Sequence, residues 1–534
     1  MKCFRIVLLT GVFAISLSGQ VAAQQHLGIV NFETSCTDEV DEDINSAVAL
    51  LHHMMYEQAE ATFRGVAEAD PQCAMASWGV AMSQLHPLWA PPTEAEIQKG
   101  LEAVGGARES GAKSDREQAY IDAIGVFFET DGDFPTRVAA WEKGQRAVMD
   151  AHPDDIDAGA FAALAALAVA PKSDATFEAQ EQAGAMLERL HSEAPEHPGL
   201  FHYTIHAYDN PRLADKALQA AHGYDKLAPE VPHALHMPSH VFVRVGKWDD
   251  VVSWNRRSAD AARKHPVGGN TSMHFSHALD YLVYAHLQKG DDAAALEASR
   301  ELAGEASYQP NLASAYALAA APARYALERR AWDEAAELPV AEPASFPWAD
   351  FPAAESITWF ARGIGAARTG DADGANEALG RLDELHETLE TGGDTYWATH
   401  TDAQRRAVRA WVEYAAGNEE QAVKLMREAA DVEDSVDKHP VTPSSVLPAR
   451  ELLGEMLLLV DRPDDARAAF EASLRVSKNR LNSLSGAGQA AELSGDSEAA
   501  MEYYSQVVEL VDQRADVSRP RLEDARRLAA SEKG

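Results

Sequence analysis

The amino-acid sequence predicts an all-α protein that folds as an α-solenoid, a stack of helical hairpins. Three observations lead to this prediction. The chain has 534 residues, whereas a single hydrophobic core stops growing at about 250–300 residues. Apolar residues recur with the period of a helix along almost every segment, and no segment alternates like a strand. Related segments also return along the chain, and an array of repeats lengthens without a thicker core.

The clearest repeat lies near the C-terminus. Ala466 and Phe470 of one segment recur as Ala499 and Tyr503 of the next, a period of 33 residues. Alanine and an aromatic residue at helical spacing, after a turn with a small and an acidic residue, resemble the tetratricopeptide repeat (TPR), whose period is about 34 residues. The pattern is degenerate but widespread, returning at Ala59, Phe63, Pro71, Ala217 and Pro229. The resemblance implies stacked TPR-like hairpins around a concave groove that binds ligands.

The overall charge limits the possible partners. Acidic residues number 84 and basic residues 47, for a net charge of −37. Such a surface repels phosphate backbones, so a nucleic-acid binder is excluded. No segment is long and uncharged enough for an integral membrane helix, which needs about 20 apolar residues. The expected partner is a protein segment, a peptide or a small ligand in the groove.

The N-terminus has the pattern of an export signal. Lys2 and Arg5 precede an apolar run over residues 6–17, and Val21, Ala22 and Ala23 form a small-residue cleavage site. This order is typical of a secretory signal peptide. We therefore expect an exported protein, periplasmic or secreted.

Two cysteines remain after removal of this signal. Cys36 and Cys73 flank two segments, 40–53 and 56–69, that both have amphipathic helical period. A tight antiparallel hairpin would bring these cysteines together, and an oxidising compartment would let them pair. The alternative is two buried thiols without a reactive role.

The repeats and the Pro-rich segments suggest how the chain is divided. The Pro-rich stretch 339–352 is the best candidate for a break between two halves of the array, and residues 90–195 fit the repeat period poorly. The predicted divisions are a signal peptide (1–23), N-terminal TPR-like hairpins (24–89), inserted or degenerate hairpins (90–195), His-rich repeats (196–304), a helical connection ending in the Pro-rich break (305–352) and C-terminal repeats (353–534).

Histidine is concentrated in one region. Residues 202–286 contain ten of the 20 histidines, where even spacing predicts about three. Spacings of three and four residues place several of them on one helical face. The TPR resemblance also implies which positions of this region face the groove, and six of these twelve positions are histidines. The positions are Gly199, His202, His206, Asp209, His233, His236, His240, Val243, His277, Asp280, Tyr284 and Leu287. The string HALHMPSH (233–240), the export signal and the cysteine pair together resemble exported bacterial TPR proteins with a His-rich central region.

Neutral imidazoles with carboxylates are ligands that suit Zn, Cu, Fe or Ni. The sequence therefore makes a divalent transition metal the leading hypothesis, with its ligands drawn from His202, His206, Asp209, His233, His236, His240, His277 and Asp280. Two alternatives stay open. The cluster could bind a small polar ligand or transfer protons, or the histidines could be core residues bonded to backbone carbonyls.

Four further residues are candidates for ligand binding. Tyr284 occupies a groove place, and Arg324 on the groove side could attract an anion or could be paired. Glu451 and Glu455 lie four residues apart and would face the groove of the C-terminal half, as acid–base groups or as part of repeat packing.

Three functions are compatible with these patterns. The first is a binding module whose groove holds a divalent metal or small polar ligand. The second is a metal-dependent enzyme, a hydrolase or an oxidoreductase, that uses the histidine cluster. The third is a purely structural scaffold for protein interaction.

Overall fold

The structure, a computed structural model, describes residues 26–511, 519 and 522. Within this part the chain is helical, and its only β-type contacts are two isolated bridges. The predicted all-α fold class is confirmed. The predicted signal peptide, residues 1–23, lies outside the described residues. No described helix is long and apolar enough to cross a membrane.

The α-helices of the described residues are, in chain order, α1 (Asp41–His52), α2 (Tyr56–Ala69), α3 (Ala74–Met82), α4 (Glu94–Ser110), α5 (Asp115–Glu129), α6 (Phe134–Ala151), α7 (Ile156–Val169), α8 (Glu178–Glu193), α9 (Pro198–Tyr208), α10 (Leu218–Leu227), α11 (Pro232–His236), α12 (Pro238–Val245), α13 (Trp248–Ala262), α14 (Met273–Gln288), α15 (Asp292–Ala303), α16 (Leu312–Glu328), α17 (Trp332–Ala336), α18 (Pro352–Thr369), α19 (Ala372–Thr391), α20 (Thr395–Ala415), α21 (Glu419–Glu433), α22 (Ala449–Leu459), α23 (Pro463–Val476), α24 (Leu481–Leu493) and α25 (Ser497–Leu510). Short 3-10 turns lie at Asp38–Val40, Ala214–Ala217 and Trp348–Asp350.

The helices stack in chain order. Most of them pack against the next helix, and many also contact the helix two places on, as α14 contacts α16, α18 contacts α20, and α22 contacts α24. This neighbour-to-neighbour pattern is that of a solenoid, in which each hairpin buries its apolar face against the following one.

Two predicted divisions do not interrupt this stack. Helices α4 to α8, in the segment 90–195 that we expected to be inserted or degenerate hairpins, pack in unbroken sequence between α3 and α9. The Pro-rich stretch 339–352 does interrupt helix formation, between α17 and α18. However, Phe346 and Trp348 within it are buried in the same core as Leu327 and Ile357 on either side. The core therefore continues through this stretch.

Two buried aromatic rings, those of Phe470 and Tyr504, show how neighbouring hairpins fit together. The Phe470 ring of α23 is buried between α22 and α24. A Cβ atom on Gly454 of α22 would lie 2.7 Å from Cζ of this ring, and one on Gly486 of α24 would be closer still. Tyr504 of α25 meets Gly488 in the same way. In these two hairpins the buried ring thus needs glycine on a facing helix.

Cys36 and Cys73 are joined by a disulfide with an S–S distance of 2.04 Å. The bond links the segment before α1 to the residue that precedes α3. It therefore closes the antiparallel hairpin of α1 and α2 at its open end.

We expect Phe470→Ala to lower the free energy of unfolding by about 3–5 kcal/mol, because it removes a fully buried ring that fills the space left by two glycines. Urea unfolding followed by circular dichroism measures this change. Leu493→Ala, at a side chain that is 60% exposed in the neighbouring α24, is the matched control. Equal destabilisation by the two substitutions would contradict the packing described here.

Candidate metal centre

The histidine-rich region folds into three neighbouring helical segments. Helix α9 carries His202 and His206, the consecutive helices α11 and α12 carry His233, His236 and His240, and α14 carries His274 and His277. Prolines begin α9, α11 and α12. Pro238 has no N–H to donate to the carbonyl four residues earlier, and the helix is divided there into α11 and α12.

One group of three histidines, the first triad, consists of His202, His206 and His233. Nε2 of His202 lies 3.1 Å from Nε2 of His206 and 3.1 Å from Nε2 of His233. Nδ1 of His202 donates to the backbone carbonyl of His52 over 2.6 Å. Since the neutral ring carries one proton, Nε2 of His202 presents a lone pair to the other two rings.

The second triad consists of His236, His240 and His277, whose ligand atoms lie within 4.8 Å of one another. Nδ1 of His236 donates to Oδ1 of Asn255 over 2.7 Å. The Asn255 amide is oriented by its own Nδ2, which donates to Ser239 Oγ and to the Val251 carbonyl. Nδ1 of His236 therefore carries the proton, and its Nε2 is bare.

His240 has the same tautomer as His236. Its Nδ1 donates to Oδ2 of Asp209 over 2.9 Å, which leaves its Nε2 bare. The Nε2 atoms of His236 and His240 face each other at 3.0 Å. Two lone pairs at this distance repel each other unless a cation lies between them. Two imidazole nitrogens bound to one metal ion at about 2.0–2.1 Å, with an angle of about 90–110° between them, lie about 2.8–3.4 Å apart. The observed spacing therefore fits a shared ion.

Burial keeps the triad imidazoles neutral. It lowers the pKa of His202 to about 3 and holds the pKa of His206, His233, His236 and His277 well below the usual range. Neutral imidazole is the form that binds metal ions. The protonation state and the spacing of the imidazoles are therefore both compatible with metal binding.

Asp209 is not placed as a metal ligand, contrary to our expectation. Its Oδ2 accepts from His240 and, over 2.6 Å, from Lys438, and its Oδ1 accepts from Arg244 over 2.9 Å. Burial opposes ionisation, but Lys438 and Arg244 hold the pKa of Asp209 well below its usual range. Asp209 thus orients a triad histidine from behind, a common role of carboxylates around metal sites.

Asp280 and Arg324 also differ from the prediction. Oδ1 of Asp280 accepts from Arg324 Nε over 3.0 Å, and both side chains are fully buried. Arg324 also donates to the carbonyls of Ser444 and Ser445. This guanidinium holds the loop before α22 against α14, so it is not exposed to attract an anion from a groove.

The other three ligand-binding candidates belong to a buried ion network. Arg480 donates to Glu328 over 2.6 Å, to Glu451 over 2.9 Å and to the Tyr284 hydroxyl over 3.1 Å. Arg330 bridges Glu451 and Glu455. Tyr284, Glu451 and Glu455 are therefore engaged inside this network, and for the two glutamates this agrees with the alternative of repeat packing.

Sequence reasoning missed the support beneath the first triad. His52 and His197 both bond to Oδ1 of Asp157, at 2.9 and 3.1 Å, and all three side chains are buried. His52 supplies the carbonyl that fixes the tautomer of His202. Because these residues lie on α1, before α9 and on α7, no local spacing could have connected them.

A cavity of about 440 Å³ opens onto both triads. Its walls include His206 and His233 from the first triad and His240 and His277 from the second. His274 also lines it. This side chain is buried, and among the described residues its Nε2 has no hydrogen-bond partner. Aromatic residues also line the cavity, namely Tyr56, His86, Trp89 and Phe351. The cavity therefore borders histidines of both triads.

No protein-family model and no curated protein sequence matches this chain significantly. Among solved structures, a tetratricopeptide repeat protein from Parabacteroides merdae is similar over 57% of this chain and 99% of its own, at 15% identity and a TM-score of 0.30. A human IFIT1 dimer with PPP-AAAA is similar over 90% and 96%, at 12% identity and 0.39. Yeast Tom70 is similar over 93% and 90%, at 10% identity and 0.28. Because these TM-scores are low, the fold assignment rests on the stacked hairpins themselves.

We expect Glu451→Gln to destabilise the fold by about 3–5 kcal/mol near neutral pH, because it leaves Arg480 buried without its full counter-charge. Burial opposes ionisation of Glu451, but Arg480 and Arg330 lower its pKa to about 2. The pKa of a glutamate in the unfolded chain is about 4.3. The stability difference between the variant and the wild type therefore shrinks as the pH falls from about 5 towards 2.

Urea unfolding at several pH values measures this difference, with the exposed Glu498→Gln as control. Equal stability of the two variants would contradict the buried network. Glu451 is not a member of either triad, so Glu451→Gln should bind as much metal as the wild type. A different amount of bound metal would contradict this placement.

Proposed function

We propose that this protein is an exported helical-repeat binding module in which each histidine triad binds one divalent transition-metal ion. The supporting observation is the pair of Nε2 atoms of His236 and His240, 3.0 Å apart, with both Nδ1 atoms engaged as donors. Burial lowers the pKa of both imidazoles, and between two neutral rings with these tautomers no hydrogen bond joins the facing Nε2 atoms. A metal ion between them would join them.

The first triad supports the same proposal. His202 Nε2 has one lone pair, yet two other Nε2 atoms lie 3.1 Å away. One lone pair accepts one hydrogen bond well, so at least one of these contacts is unsatisfied without a cation. Both triads consist of imidazole alone, a ligand type that suits Zn, Cu, Fe and Ni rather than Mg or Ca.

The cavity gives this metal-binding module a place for a second ligand. It is large enough for a small polar molecule, and it reaches four of the six triad histidines. A ligand with a donor atom could bind the ions directly while its apolar part contacts Tyr56 and Trp89. The acidic exterior of the protein favours the entry of cations.

Metal-dependent catalysis is the second candidate function. Sites with three protein ligands keep a position for water or substrate, whereas closed sites with four protein ligands are typically structural. Each triad supplies three imidazoles, and each faces the cavity. His274, which lies beside His233 with a ring separation of 5.2 Å, would be the nearest further side chain to a substrate.

Metal analysis tests the main proposal. We expect about two ions per chain in protein purified from its native compartment or loaded with zinc, about one in His206→Ala and in His277→Ala, and none in the double variant. Plasma mass spectrometry after removal of loosely bound metal gives these numbers. The exposed His222→Ala should retain both ions, and circular dichroism should show unchanged helicity. Wild-type protein that retains no zinc would overturn the proposal.

X-ray absorption of the zinc-loaded protein tests the catalytic alternative. An open site predicts three imidazole ligands per zinc and at least one further oxygen ligand, near about 2.0–2.2 Å. Addition of azide should replace this oxygen ligand. Four imidazoles per zinc, unchanged by azide, would instead indicate a closed site and would contradict catalysis at the metal.

A further inference from the structure

The two triads are immediate neighbours. His233 of the first triad and His236 of the second are three residues apart on α11, an axial rise of about 4.5 Å. Their ring centroids lie 6.1 Å apart, and those of His206 and His240 lie 5.8 Å apart. The rings of one triad are thus in contact with the rings of the other.

No carboxylate belongs to either triad. The nearest acidic side chain, Asp209, lies behind His240, and its two oxygens are occupied by His240, Arg244 and Lys438. Its charge is therefore already balanced. Glu57, Glu96 and Asp350 also line the cavity. Glu57 accepts a hydrogen bond from Gln309 and Glu96 accepts one from Thr93, and among the described residues no hydrogen bond or ion pair joins these three carboxylates to a triad histidine.

This arrangement leaves a charge that no ligand of either triad compensates. Two divalent ions would bring four positive charges into a pocket whose six ligands are neutral. Burying uncompensated charge is costly, and the cavity is the route by which a compensating anion from solution can reach both ions. The anion must be small, because the facing rings of the two triads are in contact.

We propose, building on the metal sites proposed above, that the two triads form one dinuclear centre in which a small anion from the cavity bridges the two ions. The bridging ligand is a small anion such as hydroxide or azide. Hydroxide would reach both metals through one oxygen atom, and azide through its short chain of nitrogen atoms. The protein supplies three imidazoles to each ion and no bridge of its own.

Copper loading separates a bridged pair from two independent sites. Two bridged copper(II) ions couple magnetically and lose most of their electron paramagnetic resonance signal, whereas two independent ions keep it. We expect about two coppers per chain, with less than a third of them visible in the integrated spectrum. Azide should bind with a stoichiometry of one per two coppers.

Variants that remove one site restore the signal. His206→Ala and His277→Ala should each bind one copper, all of it visible, and each variant keeps the other triad intact. His222→Ala should behave like the wild type. Two coppers per chain that are fully visible, with one azide bound to each, would overturn the dinuclear centre but leave the metal sites standing. Absence of bound copper in the wild type would overturn both proposals.

Discussion

The hydrogen bonds made by Nδ1 of three triad histidines determine whether Nε2 of the same ring is free to bind a metal ion. The His52 carbonyl, the Asn255 amide oxygen and the Asp209 carboxylate each accept an Nδ1 proton. Each bond fixes one tautomer and aims the unprotonated Nε2 at the neighbouring imidazoles. Without these acceptors the rings could turn, or could bond to one another as ordinary core histidines. The proposed metal sites therefore depend on them.

Distant parts of the solenoid supply these acceptors. His52 ends α1 and is itself held by Asp157 of α7. Asp209 follows α9 and is held by Lys438, more than two hundred residues further along the chain. The stacked architecture brings α1 and the loop before α22 against the central helices, so that the first helix and a loop late in the array support the same site. A shorter array would lack one of these supports.

The sequence predicted the helices and the histidines that converge much better than it predicted the acidic groups. Histidines three and four residues apart share a helical face, and this local rule already places His236 beside His240. The role of an acidic side chain depends on the cation that neutralises it. For Glu451 that cation is Arg480, and for Asp280 it is Arg324; neither pair is visible in local spacing. His274 was accessible to sequence reasoning, since it lies three residues before His277 on the same helix.

Anomalous X-ray scattering from crystals of the zinc-loaded protein, measured at the zinc edge, locates bound zinc in the protein. We expect two peaks of similar height, each about 2.0–2.1 Å from three imidazole nitrogens, one at His202, His206 and His233 and the other at His236, His240 and His277. Peaks elsewhere on the surface, or none at either triad, would contradict the proposed metal sites.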